Sequence, residues 1–346
     1  MIISRTPFRV SFLGGGTDYP AWYREHGGAV VAATIDKYCY LTCRHLPPFF
    51  DHRFRVVYSK IENVRTLDEI THSAAREILR FLGVQRGIEV HYLGDLPARS
   101  GIGSSSAFTV GLLHAVHALH GRSVGEHQLA MEAIHLEQDV LKETVGCQDQ
   151  VMAAYGGLNH VQFSAAGEIS VRPVPVSPER AARFSAHLML FYTGIQRTAS
   201  EIAGTYVHGL QQRGAQMDAI NNLVQEGLSL LAGDRDIALF GELLHESWQV
   251  KRELSAAVSN LRVDAIYRDA RRAGALGGKL LGAGGGGFIL FFVPPERQAD
   301  VMQALHGLLH VPCSIESGGS RIIFRDPDQA APNGCSGSSR EGPASQ

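Results

Sequence analysis

Residues 96–108 read LPARSGIGSSSAF, with Gly101, Gly103 and three serines, Ser104, Ser105 and Ser106, between a strand-like and a helix-like run. Such a stretch offers backbone rather than side chains. Glycines let a chain pass close to a ligand, and peptide N–H groups at a helix start point at negative charge, so phosphate is the chemistry to test first. No Gly-Lys-Ser/Thr follows, so this is not a Walker A loop. Gly-x-Gly runs into serines rather than x-x-Gly, and no acidic residue ends a second strand about 20 residues on, so it is no dinucleotide fingerprint either. A plain strand-to-helix turn with a serine cap is the alternative.

Three further segments carry candidate chemistry. In GAGGGGFILFF (282–292) the glycines, Gly284 and Gly285 among them, precede a β-type run rather than a helix. That excludes a Rossmann loop and leaves either close approach to a site or a packing point between domains. In TPFRVSFLGGGTDYP (6–20) Arg9 and Asp18 flank a glycine triplet, which could equally be a bulge or turn that Asp18 caps. Glu137 and Asp149 are two carboxylates twelve residues apart. A carboxylate with a serine hydroxyl can hold Mg²⁺ through oxygen, and a second carboxylate off the metal can accept a proton from an alcohol. Alone, each would be an ordinary solvated charge.

The elements that must position these residues can be outlined from pattern. Strands fit 2–13, 29–46, 54–60, 88–93 and 158–163, and helices fit 71–82, a stretch beginning in the serines, about 126–142, and 147–155. Residues 164–186 are polar and proline-bearing and read as a crossover. Beyond it come a strand at 187–194, helices at 198–232, 236–257 and 262–273, two strands around the second glycine loop, a helix at 296–309, and strands near 312–316 and 320–325. The expected organisation is one domain over 1–165, another over 187–325, and a disordered tail over 326–346. The chain has 346 residues, 45% of them hydrophobic, and a formal charge of −2, which suits two globular domains and argues against nucleic acid or an anionic membrane as the main partner. No apolar run approaches the ~20 residues of a membrane helix, and no signal-peptide pattern opens the sequence. Cys39, Cys43, Cys147, Cys313 and Cys335 are scattered and odd in number, the pattern of reduced thiols in a cytoplasm, and no structural metal site is expected.

Taken together, in order, these segments resemble the GHMP small-molecule kinases. The family's first signature, roughly P-x-R-V-x-L-x-G-x-H-x-D-Y, is matched from Pro7 to Tyr19; its phosphate loop P-x3-G-L-G-S-S-A is matched from Pro97 to Ser106, with Ile102 for Leu and Ser106 for Ala. Gly146-Cys147-Gln148-Asp149-Gln150 matches G-x-M-D-Q, and Gly282–Gly287 matches the C-terminal glycine loop. The resemblance implies an α+β fold, with a ribosomal-S5-like N-terminal domain and a ferredoxin-like C-terminal domain around a shared cleft. It implies ATP and Mg²⁺ as cofactors, with Pro97 and Gly101–Ser106 on the phosphates, Ser105 and Glu137 as Mg²⁺ ligands, Asp149 as base and Arg9 as the cation near the transferred group. Gly15, Gly16, Thr17, Asp18, Tyr19, Gln148, Arg197, Thr198, Gly284 and Gly285 would face the acceptor.

Galactokinase-like members carry Glu and His where this chain has Gly15 and Gly16. Removing that bulk and charge while keeping Asp18 predicts a pocket for a longer or anionic substituent. The runs SFLGGGTDYPAWY and YTGIQRTAS look most like members acting at the anomeric hydroxyl of a seven-carbon sugar phosphate. Arg24, Lys37, Arg44 and Arg197 are the candidate cations for that phosphate, Arg197 first among them. Another sugar, such as fucose, is the alternative acceptor, and a sugar- and nucleotide-binding sensor without turnover is the alternative class.

Overall fold

The computed structural model describes residues 1–196 and 199–326. Thirteen strands occur among them: β1 (Ile2–Leu13), β2 (Gly28–His45), β3 (Phe54–Val57), β4 (Ile61–Val64), β5 (Ile88–Gly94), β6 (Leu158–Phe163), β7 (Ile169–Pro173), β8 (Leu188–Tyr192), β9 (Gly277–Leu280), β10 (Phe288–Phe292), β11 (Leu309–Val311), β12 (Ile315–Glu316) and β13 (Arg321–Arg325). Nine of them form one sheet with the path β13-β1-β2-β5-β3-β4, on which β6 and β12 also pair with the long β2 and β7 with β6. The remaining four form a second, antiparallel sheet in the order β11-β8-β10-β9. This is the expected α+β class.

Strand β1 is central because its two faces differ. Phe8, Val10 and Phe12 are fully buried in the core, while Arg9 and Ser11 alternate with them on the other face. The runs LMLFY and FILFF look continuous rather than alternating because both faces of the second sheet are covered. Leu188, Leu190, Phe288, Leu290 and Phe292 join the main core, and Met189, Phe191, Ile289 and Phe291 join a second cluster with Trp248 and Tyr267. Phe12, Phe184, Phe240 and Phe292 meet edge-on or tilted, with ring centres 4.9–5.9 Å apart, so aromatic packing joins the two halves of the chain.

Several expectations need correction. The segment 164–186 is not bare crossover: it holds β7 and a helix, Pro178–Ala186, whose Ser177 cap accepts a hydrogen bond from Arg180 N at 3.2 Å. The expected helix over 198–232 is, among the described residues, a short helix Ala199–Gly204, a 3₁₀ stretch Val207–Arg213 and a helix Gly214–Ala232, with glycines at 204, 209 and 214 in the broken part. The helix expected over 126–142 is α-helical only to Ile134 and then widens to a π-helical turn, His135–Val140. The helices expected over 236–257 and 296–309 are shorter, Leu239–Arg252 and Gln298–Ala304. The last strands return to the first sheet, β12 to β2 and β13 to β1, and Asp326 N bonds to Met1 O at 2.9 Å. Residues 327–346 of the expected tail lie outside the described residues.

The second glycine loop is packed against the first. Phe288 N donates to Ser100 O at 2.9 Å, and a Cβ on Gly287, whose φ is +99°, would lie 2.1 Å from that same oxygen. Gly287→Ala therefore cannot be absorbed by a rotamer change. It should lower the unfolding free energy by about 2–4 kcal/mol, read by urea denaturation, with wild-type stability counting against this contact.

Candidate active site

Three segments meet at Arg9. Its Nε and Nη2 donate to Asp149 Oδ1 and Oδ2, both at 2.7 Å, and its Nη1 donates to Gly101 O at 2.6 Å. Arg9 is 3% exposed. A planar guanidinium held this way fixes the carboxylate plane of Asp149, which a lysine could not do. Asp149 itself stands in the first turn of the helix Gln148–Tyr155.

The glycine- and serine-rich loop from Pro97 to Ser106 sits beside this fork. Arg9 N donates to Ile102 O at 3.1 Å, tying the loop to β1 through main chain. Gly103 has φ +72° and caps the helix Ser104–Leu119, and no side chain bonds to that helix's first N–H groups. A helix start without a capping side chain leaves several donors unpaired, and the helix dipole adds attraction for an anion. Gly103 is required on a second count: a Cβ there would meet Arg9 Cγ at 3.2 Å and Asp149 Oδ2 at 3.4 Å. Ile102 is fully buried and anchors the loop, and Ser100 Oγ donates to Pro97 O at 2.6 Å.

Glu137 lies in the π-helical turn and is fully buried. Such turns widen a helix locally and re-aim a side chain. Its Oε2 accepts from Ser106 Oγ at 2.9 Å and from Gln150 Nε2 at 2.5 Å, while Oε1 has no hydrogen-bond partner. Burial pushes its carboxyl up to about 7 from an ordinary 4.5. A buried carboxylate with a spare oxygen fits a cation. Of the two residues expected to hold Mg²⁺, Glu137 is the buried one, with one oxygen unpartnered. It is Ser106 rather than Ser105 whose hydroxyl reaches it; Ser105 lies on the exposed side of the same turn.

Asp18 is buried against the same region. Its Oδ1 accepts from Gly16 N at 3.0 Å, its Oδ2 accepts from Gln148 N at 3.4 Å, and Cys147 N donates to its carbonyl at 3.0 Å. Burial, with the Asp149 charge adding, raises its carboxyl above the ordinary range, and the Gly16 and Gln148 N–H groups oppose that. A Cβ on Gly146 would fall on Asp18 Oδ2, so the glycine is what lets the two segments meet. Gly15 borders Ser11 and Gln148, and Gly16 borders Met217 and Leu254.

Other expected site residues have protein neighbours of their own. Thr17 has its hydroxyl occupied by Gly14 O, Ala29 O and Ala29 N. Tyr19 is buried edge-on against Tyr206, 6.3 Å between ring centres. Gly284 and Gly285 have Val258, Ile202 and Ala257 as their nearest neighbours rather than Arg9, Asp18 or Asp149. Arg197 and Thr198 lie outside the described residues. Lys37 pairs with Asp36, and Arg44 with Glu89.

Four polar residues assigned no role from sequence lie in or against this region. Gln150 holds Glu137, Ser11 follows Arg9 on the same face of β1, Lys279 Nζ donates to Phe12 O at 2.8 Å, and Lys251 Nζ donates to Gly282 O. Burial, with Lys251 and Arg9 adding, lowers the Lys279 ammonium well below its ordinary value. A lone charge inside LGGKLLG was the available signal for Lys279; a lysine at 2% exposure holds β9 to the end of β1. Gln150 and Ser11 give no such signal.

A glycine-rich loop capping a helix, a forked arginine–aspartate pair and a buried acidic residue between two packed α+β halves suit a small-molecule kinase. The chain belongs to the GHMP kinase family and is a sugar kinase: the family's N-terminal domain matches residues 69–157 and its C-terminal domain residues 219–307. It is 29% identical over 315 residues to D-glycero-alpha-D-manno-heptose 7-phosphate kinase of Campylobacter jejuni, covering 88% of this chain and 93% of that protein. It is 27% identical to L-fucokinase/L-fucose-1-P guanylyltransferase of Bacteroides fragilis over 87% of this chain, though it spans only 35% of that longer protein. Among solved structures, a D-glycero-D-manno-heptose 1-phosphate kinase from Bacteroides thetaiotaomicron shares the fold at a TM-score of 0.77 and 23% identity, over 94% of this chain and all of that one. No described helix is long and apolar enough to cross a membrane.

The raised Glu137 carboxyl fixes the sign of a pH effect. The folded protein holds that proton more tightly than the unfolded chain, so this contribution to stability is complete below about pH 4.5 and is lost as pH rises through about 7. In metal-free buffer with chelator, Glu137→Gln should melt increasingly above wild type between pH 5 and pH 8. A melting-temperature gap that does not change with pH would refute the burial argument.

Proposed function

We propose that this sugar kinase transfers the γ-phosphoryl group of ATP to the anomeric hydroxyl of D-glycero-D-manno-heptose 7-phosphate, giving the 1,7-bisphosphate, and that it works in the cytoplasm on the way to surface polysaccharide. The observation that carries the acceptor is the wall beside Asp18. Gly15 and Gly16 put no side chain there, the nearest atoms to a Cβ at either position being 3.5 Å or more away. A pocket relieved of bulk and charge at that end suits a long, anionic substituent. The 29% identity to a heptose 7-phosphate kinase over 88% of this chain supports the same reading.

In this reading the first-turn N–H groups of the Ser104 helix and the loop 101–103 hold the nucleotide phosphates. Glu137 would hold Mg²⁺ together with Ser105 from the helix whose Ser106 already bonds Glu137 Oε2; the unpartnered buried oxygen of Glu137 is the fit for that ion. Mg²⁺ supplies charge neutralisation on the phosphate oxygens. Arg9 orients Asp149 and places positive charge near the transferred group. Asp149 takes the proton of the sugar hydroxyl as its oxygen bonds to the γ-phosphorus and the bond to the ADP oxygen breaks. Most of the rate then comes from positioning and fixed charge. Asp18 holds the sugar, and Arg197 is the cation we assign to the terminal phosphate. Arg9, Ser105, Glu137 and Asp149 together are what turnover requires, which weighs against a silent sensor.

The test is a coupled ADP-release assay with Mg²⁺-ATP, offering the heptose 7-phosphate beside fucose, galactose, mannose and mannose 6-phosphate. Turnover should be confined to the heptose phosphate. Asp149→Asn should lower kcat by about 10²–10⁴-fold while ATP affinity changes little. Turnover on an unphosphorylated sugar such as fucose would keep the kinase and discard the glycine-pair argument.

A further inference from the structure

A second acidic side chain stands against the π-helical turn of Glu137. The chain leaves that turn at Leu141, and Lys142 then takes a left-handed backbone, with φ +56°. Only one other non-glycine residue among those described, Arg99, has a positive φ. A left-handed residue turns the chain back at a helix end. Here it returns Glu143 to the turn: Glu143 N donates to Glu137 O at 2.9 Å, and Val145 N donates to Glu143 O at 3.0 Å. Two glutamates six residues apart, which a continued helix would put on different faces, are thus neighbours.

Both carboxylates are short of partners. Glu137 is fully buried, and its Oε1 makes no hydrogen bond. The adjacent Thr109 hydroxyl donates to Ser105 O at 3.2 Å instead. Glu143 is half-buried, and its carboxylate makes no hydrogen bond or ion pair among the described residues. Lys142, the basic residue next to it in sequence, is exposed and does not pair with it. Burial raises both carboxyls, and at Glu137 the Glu143 charge adds to that rise. Two acidic groups that repel each other away from water, with no protein cation between them, cost the free protein stability. A neutral ligand would leave the repulsion in place. A divalent cation removes it and satisfies the spare oxygen, and hard oxygen donors suit Mg²⁺ or Mn²⁺.

We infer that Glu143 is a second acidic residue of the divalent-cation site, so that the Glu137–Glu143 pair sets the affinity for the ion. The inference rests on the Mg²⁺ reading of Glu137. The left-handed turn at Lys142 is what lets the two residues meet.

Mn²⁺ alone is the probe, titrated into nucleotide-free enzyme and followed by loss of the free-ion EPR signal. Wild type should bind it at one site. Glu143→Gln keeps the side chain's shape and removes its charge, and it should weaken binding about five- to tenfold; Glu143→Asp should weaken it less. In chelator at pH 7–8, Glu143→Gln should melt no lower than wild type, because a repulsion has gone, and it should gain less on addition of Mn²⁺. Equal Mn²⁺ affinity in wild type and Glu143→Gln overturns the inference. So does a weaker affinity that comes with an equal loss of stability in chelator, which marks a merely structural role. Glu137→Gln in the same titration separates the two readings. If it weakens binding while Glu143→Gln does not, Glu137 keeps its Mg²⁺ and Glu143 loses its part. If neither substitution changes binding, or wild type takes up no Mn²⁺ at millimolar concentration, both readings fall.

Discussion

The site depends on one buried guanidinium. Arg9 joins three segments far apart in sequence: β1, the loop at Gly101 and the helix that carries Asp149. Both carboxylate oxygens are held by one rigid plane, so Asp149 cannot turn away without breaking two charge-assisted bonds. The geometry then propagates. Gly103 has to lack a side chain because Arg9 and Asp149 occupy the space a Cβ would enter, and the left-handed turn that glycine permits is what starts the helix Ser104–Leu119. A strand can serve as the base of this arrangement only if it does not shift. The pairing of β1 with β2 on one side and β13 on the other, with Phe8, Val10 and Phe12 in the core, supplies that.

What could be read from the sequence follows from how local each constraint is. Gly101 and Gly103 were legible because positive φ values of 85° and 72° leave little choice of residue. Arg9, Asp18 and Asp149 were legible as charges in segments that are otherwise apolar or glycine-rich. The π-helical turn at His135–Val140 was not, since its sequence continues an ordinary helical pattern and only the buried target of Glu137 reveals the widening. The return of β12 and β13 to the first sheet was also hidden, because pairing across some 280 residues leaves no periodic trace. Ser11 was invisible for a different reason: what marks it is a missing hydrogen bond, and no composition or spacing encodes an absence.

Of the ten buried side-chain atoms without a hydrogen-bond partner among the described residues, four, Ser11 Oγ, Glu137 Oε1, Gln148 Oε1 and Gln150 Oε1, belong to the segments around Arg9 and Asp18. Each costs the free protein stability, on the order of 1 kcal/mol or more, and a ligand atom can return it. Other polar groups of the same segments already have protein partners: Thr17 the backbone, Asp18 two N–H groups, Arg9 three acceptors.

The two halves of the chain bear on the phosphate loop from opposite sides. Arg9 N holds Ile102 O from the first sheet, and Phe288 N holds Ser100 O from the second. A glycine-rich loop left alone would sample many conformations and lose that freedom whenever a ligand bound. Here the carbonyls are already occupied by main-chain donors from both halves, and no side chain caps the helix N–H groups. The second glycine loop thus acts on the first through packing. It needs no contact with the ligand, because the absence of Cβ atoms lets β10 come close enough to fix Ser100. Ordering entropy is met during folding, through the aromatic contact of Phe12, Phe184, Phe240 and Phe292, rather than at each binding event. In the proposed reaction, donors fixed in advance would not have to reorganise as charge moves from nucleotide to sugar.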